Sequence, residues 1–221
     1  GDTHINLGNG RIFNSFAGSC NADIQGHTET YIGKDGFPYV RDYVYGGNDL
    51  GGRIIGGTEI LKENKNFKSR VLNGSLDGVY KYNATSNANP THLYADAYIE
   101  YNQGRVEKIF GGCYGVYDYA DPLYGKYFYA RGGTGTTITG DNPNIATARD
   151  GYYKPKLDHA FINFRPTDVN NSLNTVGQIY GAGQGILGEK EENTLQNSSY
   201  ILIDIPQTMK NFTGTEIFGA G

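Results

Sequence analysis

The sequence lacks the residues that mark several protein classes. It has no tryptophan, one methionine, two cysteines and seven prolines. It also has no run of about 18 apolar residues, so no transmembrane helix is expected. The net charge is −4, from 19 Lys and Arg against 23 Asp and Glu, and no basic stripe is present. Binding to the nucleic-acid backbone relies on such a stripe, so we expect no nucleic-acid partner.

The two cysteines carry little information about function. Cys20 and Cys113 have neither the spacing of a metal-ligand set nor that of a CxxC pair. The sequence is compatible with a disulfide between them in an exported protein, and equally with two buried thiols.

Glycine and aromatic residues are abundant. The 33 glycines, 19 tyrosines and 10 phenylalanines recur along the whole length. Glycines every few residues exclude helical bundles, because each costs about 1 kcal/mol in a helix interior. Short alternating segments such as residues 92–101 and 200–205 indicate strands. The chain is therefore predicted to be nearly all strand and turn.

One phrase recurs in chain order: an aliphatic residue, an aromatic residue, then a pair of glycine or alanine residues. Its copies are Val44-Tyr45-Gly46-Gly47, Ile109-Phe110-Gly111-Gly112, Ile179-Tyr180-Gly181-Ala182 and Ile217-Phe218-Gly219-Ala220, with a degraded copy at Phe16-Ala17-Gly18. We expect each aromatic residue to point inward and to stack on its copy from the next turn. The glycines are expected where the chain turns with positive φ or passes close to a neighbouring turn.

Two further phrases extend the repeat. Residues 24–29 parallel residues 55–59, and a Thr-His or Asp-His pair recurs at three points. The histidines of those pairs are expected at equivalent positions of the repeat; they are His4, His92 and His159.

Repetition in chain order predicts a β-solenoid, in which stacked turns bury a continuous core. We predict one such domain over residues 1–221, and because the last copy of the phrase is cut off we expect it to belong to a longer protein. Polar stretches are predicted as long loop insertions; they are residues 62–68, 83–90, 140–144 and 188–199. The alternative is a β-sandwich with glycine-rich hairpins, which does not explain why one phrase recurs.

The (V/I)(Y/F)GG phrase resembles that of glycine-rich repeat proteins of Bacteroidetes, which are secreted or surface-exposed and adhesin-like. The resemblance is clearest at residues 12–61, 105–115 and 176–188. It implies a single-stranded right-handed parallel β-helix of the pectin-lyase-like kind, and export to the cell surface or the extracellular space. It implies no particular activity.

Signals for catalysis are weak. The pectin-lyase-like fold also hosts polysaccharide lyases and glycoside hydrolases, which need paired carboxylates or a calcium-binding cluster. Asp118, Asp121 and Asp141 are the best carboxylate candidates, and we interpret them as turn-forming residues. We interpret the three repeated histidines as turn caps rather than zinc ligands, because the copies lie far apart in the chain. The sequence therefore predicts no catalytic residue, no metal site and no cofactor.

Tyrosines crowd one predicted insertion and are the candidate ligand-binding residues: Tyr117, Tyr119, Tyr124, Tyr127 and Tyr129. Tyrosine offers a large rigid contact area with a polar tip, which suits a glycan or protein ligand. The alternative is that these rings only pack the insertion onto the solenoid. We expect a non-enzymatic adhesin-like or scaffold module that binds a glycan, or a host or surface protein. A polysaccharide lyase or glycoside hydrolase of the β-helix type is the alternative function, and a structural stalk is a third.

Overall fold

The computed structural model describes residues 1–20, 22–54, 58–59, 80–82, 90–115, 155–167, 174–184, 195–206 and 215–220. All regular elements in these residues are β-strands. No helix that could cross a membrane is found within these ranges. The prediction of an all-β chain is confirmed for the residues described.

Two parallel sheets contain most of the strands. The first sheet has, in spatial order, β1 (Thr3–Leu7), β3 (Thr28–Ile32), β9 (Ala97–Tyr101), β11 (Lys156–Phe164) and β13 (Leu195–Ile203). The second sheet has, in spatial order, β2 (Gly10–Phe16), β4 (Pro38–Tyr45), β10 (Arg105–Phe110), β12 (Thr175–Tyr180) and β14 (Glu216–Phe218). Every neighbouring pair in these two sequences of strands is parallel.

The other four strands are short. β5 (Arg53–Ile54) runs parallel to the start of β11. β6 (Thr58–Glu59), β7 (Tyr80–Tyr82) and β8 (Pro90–Ala95) form a small antiparallel sheet with β8 in the centre. Among the described residues, the antiparallel pairing that the β-sandwich alternative requires is confined to this small sheet.

The chain alternates between the two parallel sheets. We call a strand of the first sheet together with the strand of the second sheet that follows it a rung: rung 1 is β1 with β2, rung 2 is β3 with β4, rung 3 is β9 with β10, rung 4 is β11 with β12, and rung 5 is β13 with β14. Among these ten strands, those that lie side by side in a sheet belong to consecutive rungs. Parallel neighbours need a crossover between them, and here the strand of the other sheet provides it.

The hydrophobic core is formed by aliphatic side chains from both sheets. Ile99 and Ile162 of the first sheet and Val44, Ile109 and Ile179 of the second are fully buried in one cluster. Within each sheet these residues are paired in register. Burying each such side chain contributes about 1.5–3 kcal/mol.

The aromatic residues of the recurring phrase form a ladder along the second sheet. Successive ring centroids are 5.1 Å (Phe16–Tyr45), 4.9 Å (Tyr45–Phe110), 4.6 Å (Phe110–Tyr180) and 4.7 Å (Tyr180–Phe218) apart, and all four pairs are stacked. The predicted stacking is confirmed. The rings lie outside the aliphatic core cluster, because the aliphatic residue before each ring faces that cluster and successive strand residues point to opposite faces. Tyr45 and Phe110 are nevertheless buried, at 0% and 4% exposure.

The first glycine of each phrase lies against the backbone of the next rung. The backbone N–H groups of Gly46, Gly111 and Gly181 each donate a 2.9 Å hydrogen bond to the aromatic residue of the next copy. A Cβ atom on Gly46 would collide with the carbonyl oxygen of Gly111, and one on Gly111 with that of Gly181. Close approach therefore explains these glycines, and positive φ is found at other positions such as Gly33 and Gly104.

The second predicted phrase does not have the expected register. Ile24 bridges Ile54 in parallel, and Thr28 pairs with Ala97. Thr58 belongs to β6, which pairs with β8 in the small antiparallel sheet. The predicted equivalence of residues 24–29 and 55–59 is therefore wrong, and residues 55–57 lie outside the described part. An insertion carries this similar phrase away from the rung.

That insertion occupies residues 55–96. Because Ile54 bridges Ile24 and Ala97 pairs with Thr28, residues 55–96 cover the gap that Gln25-Gly26-His27 covers in the preceding rung. The insertion includes the small sheet of β6, β7 and β8.

A second insertion occupies residues 116–155. The backbone N–H of Gly115 donates to the carbonyl oxygen of Asp49, and Lys156 pairs with Arg53. Residues 116–155 therefore cover the gap that Leu50-Gly51-Gly52 covers in the preceding rung. Both insertions lie on the path from the second sheet back to the first.

The predicted polar loops are partly outside the described residues. Residues 62–68, 83–89, 140–144 and 188–194 are not described. Pro90 begins β8 and residues 195–199 belong to β13, so the predicted loops extended too far at these two points. The polar sequence Gln-Asn-Ser-Ser of β13 is compatible with a strand, because pairing with β11 supplies its hydrogen bonds.

Candidate functional site

The tyrosines predicted to bind a ligand lie outside the described residues, as do the three candidate aspartates; they are Tyr117, Tyr119, Tyr124, Tyr127, Tyr129, Asp118, Asp121 and Asp141. Tyr114, just before this segment, is described. Its ring centroid lies 5.3 Å from that of Tyr45 and 6.0 Å from that of Phe16. The ring of Tyr114 therefore packs on the aromatic ladder.

The three histidines expected at equivalent positions occupy different ones. His4 in β1 is beside Glu29 of β3, whereas His159 in β11 is beside Ser198 of β13. His92 is in β8, in the small antiparallel sheet. The predicted equivalence is wrong, because a Thr-His or Asp-His pair fits any strand and does not by itself set the register.

Four ionisable residues meet instead at the outer edge of the first sheet, and we call them the edge cluster: Asp2, His4, His27 and Glu29. Asp2 and His4 are two residues apart, as are His27 and Glu29, so the strand period of two places each pair on one face. Thr3 pairs with Thr28 and His4 with Glu29, which brings the two pairs together. Ile5 packs on the core, so His4 faces away from it.

In this cluster, His27 lies between two carboxylates. Its Nδ1 is 3.0 Å from Asp2 Oδ1, and its Nε2 is 2.9 Å from Glu29 Oε1. The other oxygen of Glu29 is 2.9 Å from His4 Nδ1 and accepts a 3.0 Å hydrogen bond from the Tyr31 hydroxyl. The two imidazole rings meet edge to face, with centroids 5.8 Å apart. The four side chains therefore form one continuous network.

The edge cluster has a shielded part and an open part. The side chains of His27 and Glu29 are 12% and 15% exposed, against 47% for Asp2 and 60% for His4. The backbone N–H of His27 donates a 3.1 Å hydrogen bond to Asp2 Oδ1. That bond to the charged form holds the pKa of the Asp2 carboxyl below its usual value. A Cβ atom on Gly26 would collide with the same oxygen, so glycine there makes room for the carboxylate.

A second group of hydrogen-bonded side chains lies next to the edge cluster on the outer face of the first sheet, with the Tyr98 ring 6.1 Å from that of Tyr31. The Tyr98 hydroxyl donates a 2.6 Å hydrogen bond to Glu100 and accepts one of 3.1 Å from the Asn163 side-chain amide. Tyr98 is buried, and its burial raises the pKa of the hydroxyl well above the usual value. The hydroxyl therefore stays protonated at neutral pH and remains a hydrogen-bond donor to the Glu100 carboxylate.

The edge cluster was missed by sequence reasoning, although a signal for it exists. The segments Asp2-Thr3-His4 and His27-Thr28-Glu29 each alternate ionisable and small residues with the period of a strand. A search that paired such segments between neighbouring turns would have found them. His4 and His27 stand in different recurring phrases, so a comparison of like phrases does not bring them together.

The outer face of the second sheet combines cations with aromatic rings. The guanidinium carbons of Arg11 and Arg105 lie 5.8 Å and 5.4 Å from the centroid of the Tyr39 ring, and that of Arg41 lies 4.5 Å from the Phe13 centroid. These separations are in the range of cation–π attraction. The aromatic faces of Tyr39 and Phe13 are therefore engaged by cations of this chain.

The two thiols differ in environment, and no disulfide joins them. Cys20 is exposed and Cys113 is buried. Burial raises the pKa of the Cys113 thiol to about 12. Since the thiolate is the reactive form, Cys113 is an inert core residue at neutral pH.

The edge cluster is the arrangement in the described residues with the most evident chemical capacity. Two imidazoles and two carboxylates can bind a cation or exchange protons. Comparison of the chain with family models, with curated proteins and with solved structures finds no match.

Proposed function

We propose that this chain is an exported, non-enzymatic binding module of adhesin-like or scaffold type, and that it folds as a right-handed parallel β-helix. Its two insertions, residues 55–96 and 116–155, bind the partner, which is a glycan or a host or surface protein. One observation carries the proposal: both insertions lie between consecutive rungs, in the connection from the second sheet back to the first.

Neither insertion is required to connect one rung to the next. In the preceding connection, the gap equivalent to the first insertion is spanned by Gln25-Gly26-His27. The gap equivalent to the second insertion is spanned by Leu50-Gly51-Gly52. Lengthening a loop costs little, about 0.6 kcal/mol for each doubling. In stacked repeats, insertions on one side of the stack commonly form the binding face. A partner site on this side of the stack explains why two consecutive connections, both from the second sheet back to the first, are long.

The second insertion contains the chemistry expected of such a site. All five candidate tyrosines, Tyr117 to Tyr129, fall within it. Aromatic faces can stack on sugar rings or on protein side chains. The faces of Tyr39 and Phe13 on the second sheet are engaged by arginines, which favours the insertion as the recognition surface.

The parallel β-helix is supported by the order of the rungs. Each rung returns to the first sheet beside the rung before it, and like residues are paired along both sheets. A crystal structure tests the finer fold. A left-handed coil, or an antiparallel sandwich, would contradict it.

The binding proposal is tested by native affinity electrophoresis against host and plant polysaccharides, with the polymers analysed afterwards for cleavage. The first variant carries Tyr117→Ala, Tyr119→Ala and Tyr127→Ala. The second replaces residues 116–155 with the sequence Leu-Gly-Gly. Tyr39→Ala is the control, because it removes a tyrosine outside both insertions. We expect wild type and the control to be retarded by at least one polymer, and both insertion variants to migrate freely.

Each other result has a definite meaning. Cleavage of a polymer would favour a polysaccharide lyase or glycoside hydrolase and contradict the non-enzymatic proposal. Retardation that survives the Leu-Gly-Gly replacement would place binding outside the second insertion. If no polymer retards the wild type, the glycan partner is wrong, and the same three variants are then compared for binding to extracted surface proteins.

A further inference from the structure

The edge cluster has the spacing of a metal site. One ligand atom from each of Asp2, His4 and His27 lies within 4.8 Å of the others. Around tetrahedral zinc, with bonds of about 2.0–2.1 Å, ligand atoms lie about 3.3 Å apart. The 3.0 Å separation of His27 Nδ1 and Asp2 Oδ1 is close to that value. The third ligand atom, on the exposed side chain of His4, lies within 4.8 Å of both.

We propose that the edge cluster binds one divalent transition-metal ion of the zinc type, with Asp2, His4 and His27 as ligands. Two imidazoles and a carboxylate form a donor set that zinc uses in proteins. The remaining coordination position is open to water, since Asp2 and His4 are both about half exposed. That exposure also provides the path by which the ion enters.

Glu29 is the positioning residue of this site. Its two carboxylate oxygens lie 2.9 Å from one ring nitrogen of His27 and 2.9 Å from one ring nitrogen of His4. A carboxylate that accepts one N–H from each ring leaves the other nitrogen of each ring available to the metal. Such carboxylates fix the tautomer and orientation of metal-binding histidines.

The ion connects the first two rungs. β1 is the terminal strand of the first sheet and is paired with β3. His4 lies in β1 and Asp2 directly precedes that strand, whereas His27 directly precedes β3. A ligand that binds the folded state but not the unfolded chain stabilises the fold, so the ion holds β1 against β3. The site lies outside both insertions and does not depend on the proposed binding function.

The test is isothermal titration of the full chain, without a histidine tag, with zinc chloride at neutral pH. We expect one equivalent to bind, and cobalt(II) to give the visible absorption of a site with nitrogen ligands. His4→Ala removes an exposed ligand and should abolish stoichiometric binding. Glu29→Gln should weaken binding about 10–100-fold while keeping the stoichiometry. His159→Ala is the control, because it removes a histidine of the same sheet outside the cluster, and it should bind as wild type does.

Thermal unfolding gives a second measurement that does not depend on heat of binding. Zinc should raise the Tm of wild type and of His159→Ala, and leave that of His4→Ala unchanged. Circular dichroism checks that each variant is folded. The proposal is overturned if wild type binds no zinc, if His4→Ala binds as tightly as wild type, or if His159→Ala loses binding as well.

Discussion

At the scale of single residues, close packing explains why the first position of each glycine pair is glycine. Gly46, Gly111 and Gly181 leave no room for a side chain, because the carbonyl oxygen of the next rung occupies that space. The residues across from them are also small: Cβ atoms on Gly46 and Gly111 would lie 3.1 Å from the Cβ atoms of Ala97 and Ala160. The two sheets therefore approach closely at a corner of the fold, where the chain leaves the second sheet and the glycines face Ala97 and Ala160 of the first.

Replacement of Gly111 by alanine should be costly. The added Cβ would collide with the carbonyl oxygen of Gly181, which is backbone and cannot rotate away. We expect the free energy of unfolding to fall by about 1–3 kcal/mol, as for other overpacked cores. Urea unfolding measures the change.

Gly219→Ala is the matched control for that experiment. Gly219 holds the same position in the last copy of the phrase, but no atom lies within 4 Å of a Cβ atom built there. Its substitution should change stability by about 0.5 kcal/mol or less. Equal losses at the two positions would show that backbone conformation, rather than close approach, is the reason for glycine.

Small hydroxyl residues tie the two sheets together near the same corner. The hydroxyl of Thr3 donates a 2.6 Å hydrogen bond to the backbone carbonyl oxygen of Ala17. The hydroxyl of Ser199 donates one of the same length to that of Gly219. Thr28 donates in the same way to Gly46, at 2.5 Å. In rungs 3 and 4 alanine stands at the position of the hydroxyl residue, and Ala97 and Ala160 lie close to Gly46 and Gly111.

At the scale of the element, the aromatic ladder connects all five strands of the second sheet. Phe110 is stacked on Tyr45 at 4.9 Å and on Tyr180 at 4.6 Å. Phe218, at the end of the ladder, is stacked on Tyr180 and is 42% exposed. Phe110 and Phe218 hold the same position of the recurring phrase, but they differ in the number of rings stacked on them and in exposure.

Phe110→Leu should cost more stability than Phe218→Leu. An aromatic pair contributes about 0.5–1.5 kcal/mol beyond the burial of its surface. Phe110 loses three such pairs, two stacked and one edge to face with Tyr43, so we expect a decrease of about 1.5–4.5 kcal/mol, against about 0.5–1.5 kcal/mol for the single pair of Phe218. Chemical unfolding of the two variants measures the difference. Equal decreases would contradict the prediction, since Phe110 has both more ring contacts and less exposure than Phe218.

At the scale of the whole molecule, the rungs and the insertions have separate roles. The rungs share one core, and aliphatic residues continue through it from rung to rung. Each insertion joins two described positions, and the equivalent positions in the preceding connection are joined by only three residues. The fold should therefore survive their removal.

Replacement of residues 55–96 by the sequence Gln-Gly-His tests this separation. The new connection copies residues 25–27, which link Ile24 to Thr28 in the rung beside it. We expect a cooperative unfolding transition and an unchanged β-type circular dichroism spectrum, because the core residues of the two sheets are retained. Loss of cooperative unfolding would show that the small sheet of β6, β7 and β8 is part of the core.

Several features of the structure were predictable because they depend on local repetition. Parallel pairing places equivalent residues of successive turns side by side, so the recurrence of Tyr45, Phe110 and Tyr180 was enough to predict the ladder. The direction of the rings was not predictable in the same way. Val44 and Tyr45 are both apolar and adjacent, and either could face the aliphatic core until packing against the first sheet decides between them.

The sequence by itself determined the strand content, the glycine pairs and the stacking of like residues, because these follow from side-chain period and backbone geometry over a few positions. Only the tertiary structure decided which segments pair across an insertion, as Thr28 does with Ala97 rather than Thr58. It alone also brought His4 to Glu29. Register is set by burial of one strand face against the core, and that burial depends on residues far away in the chain.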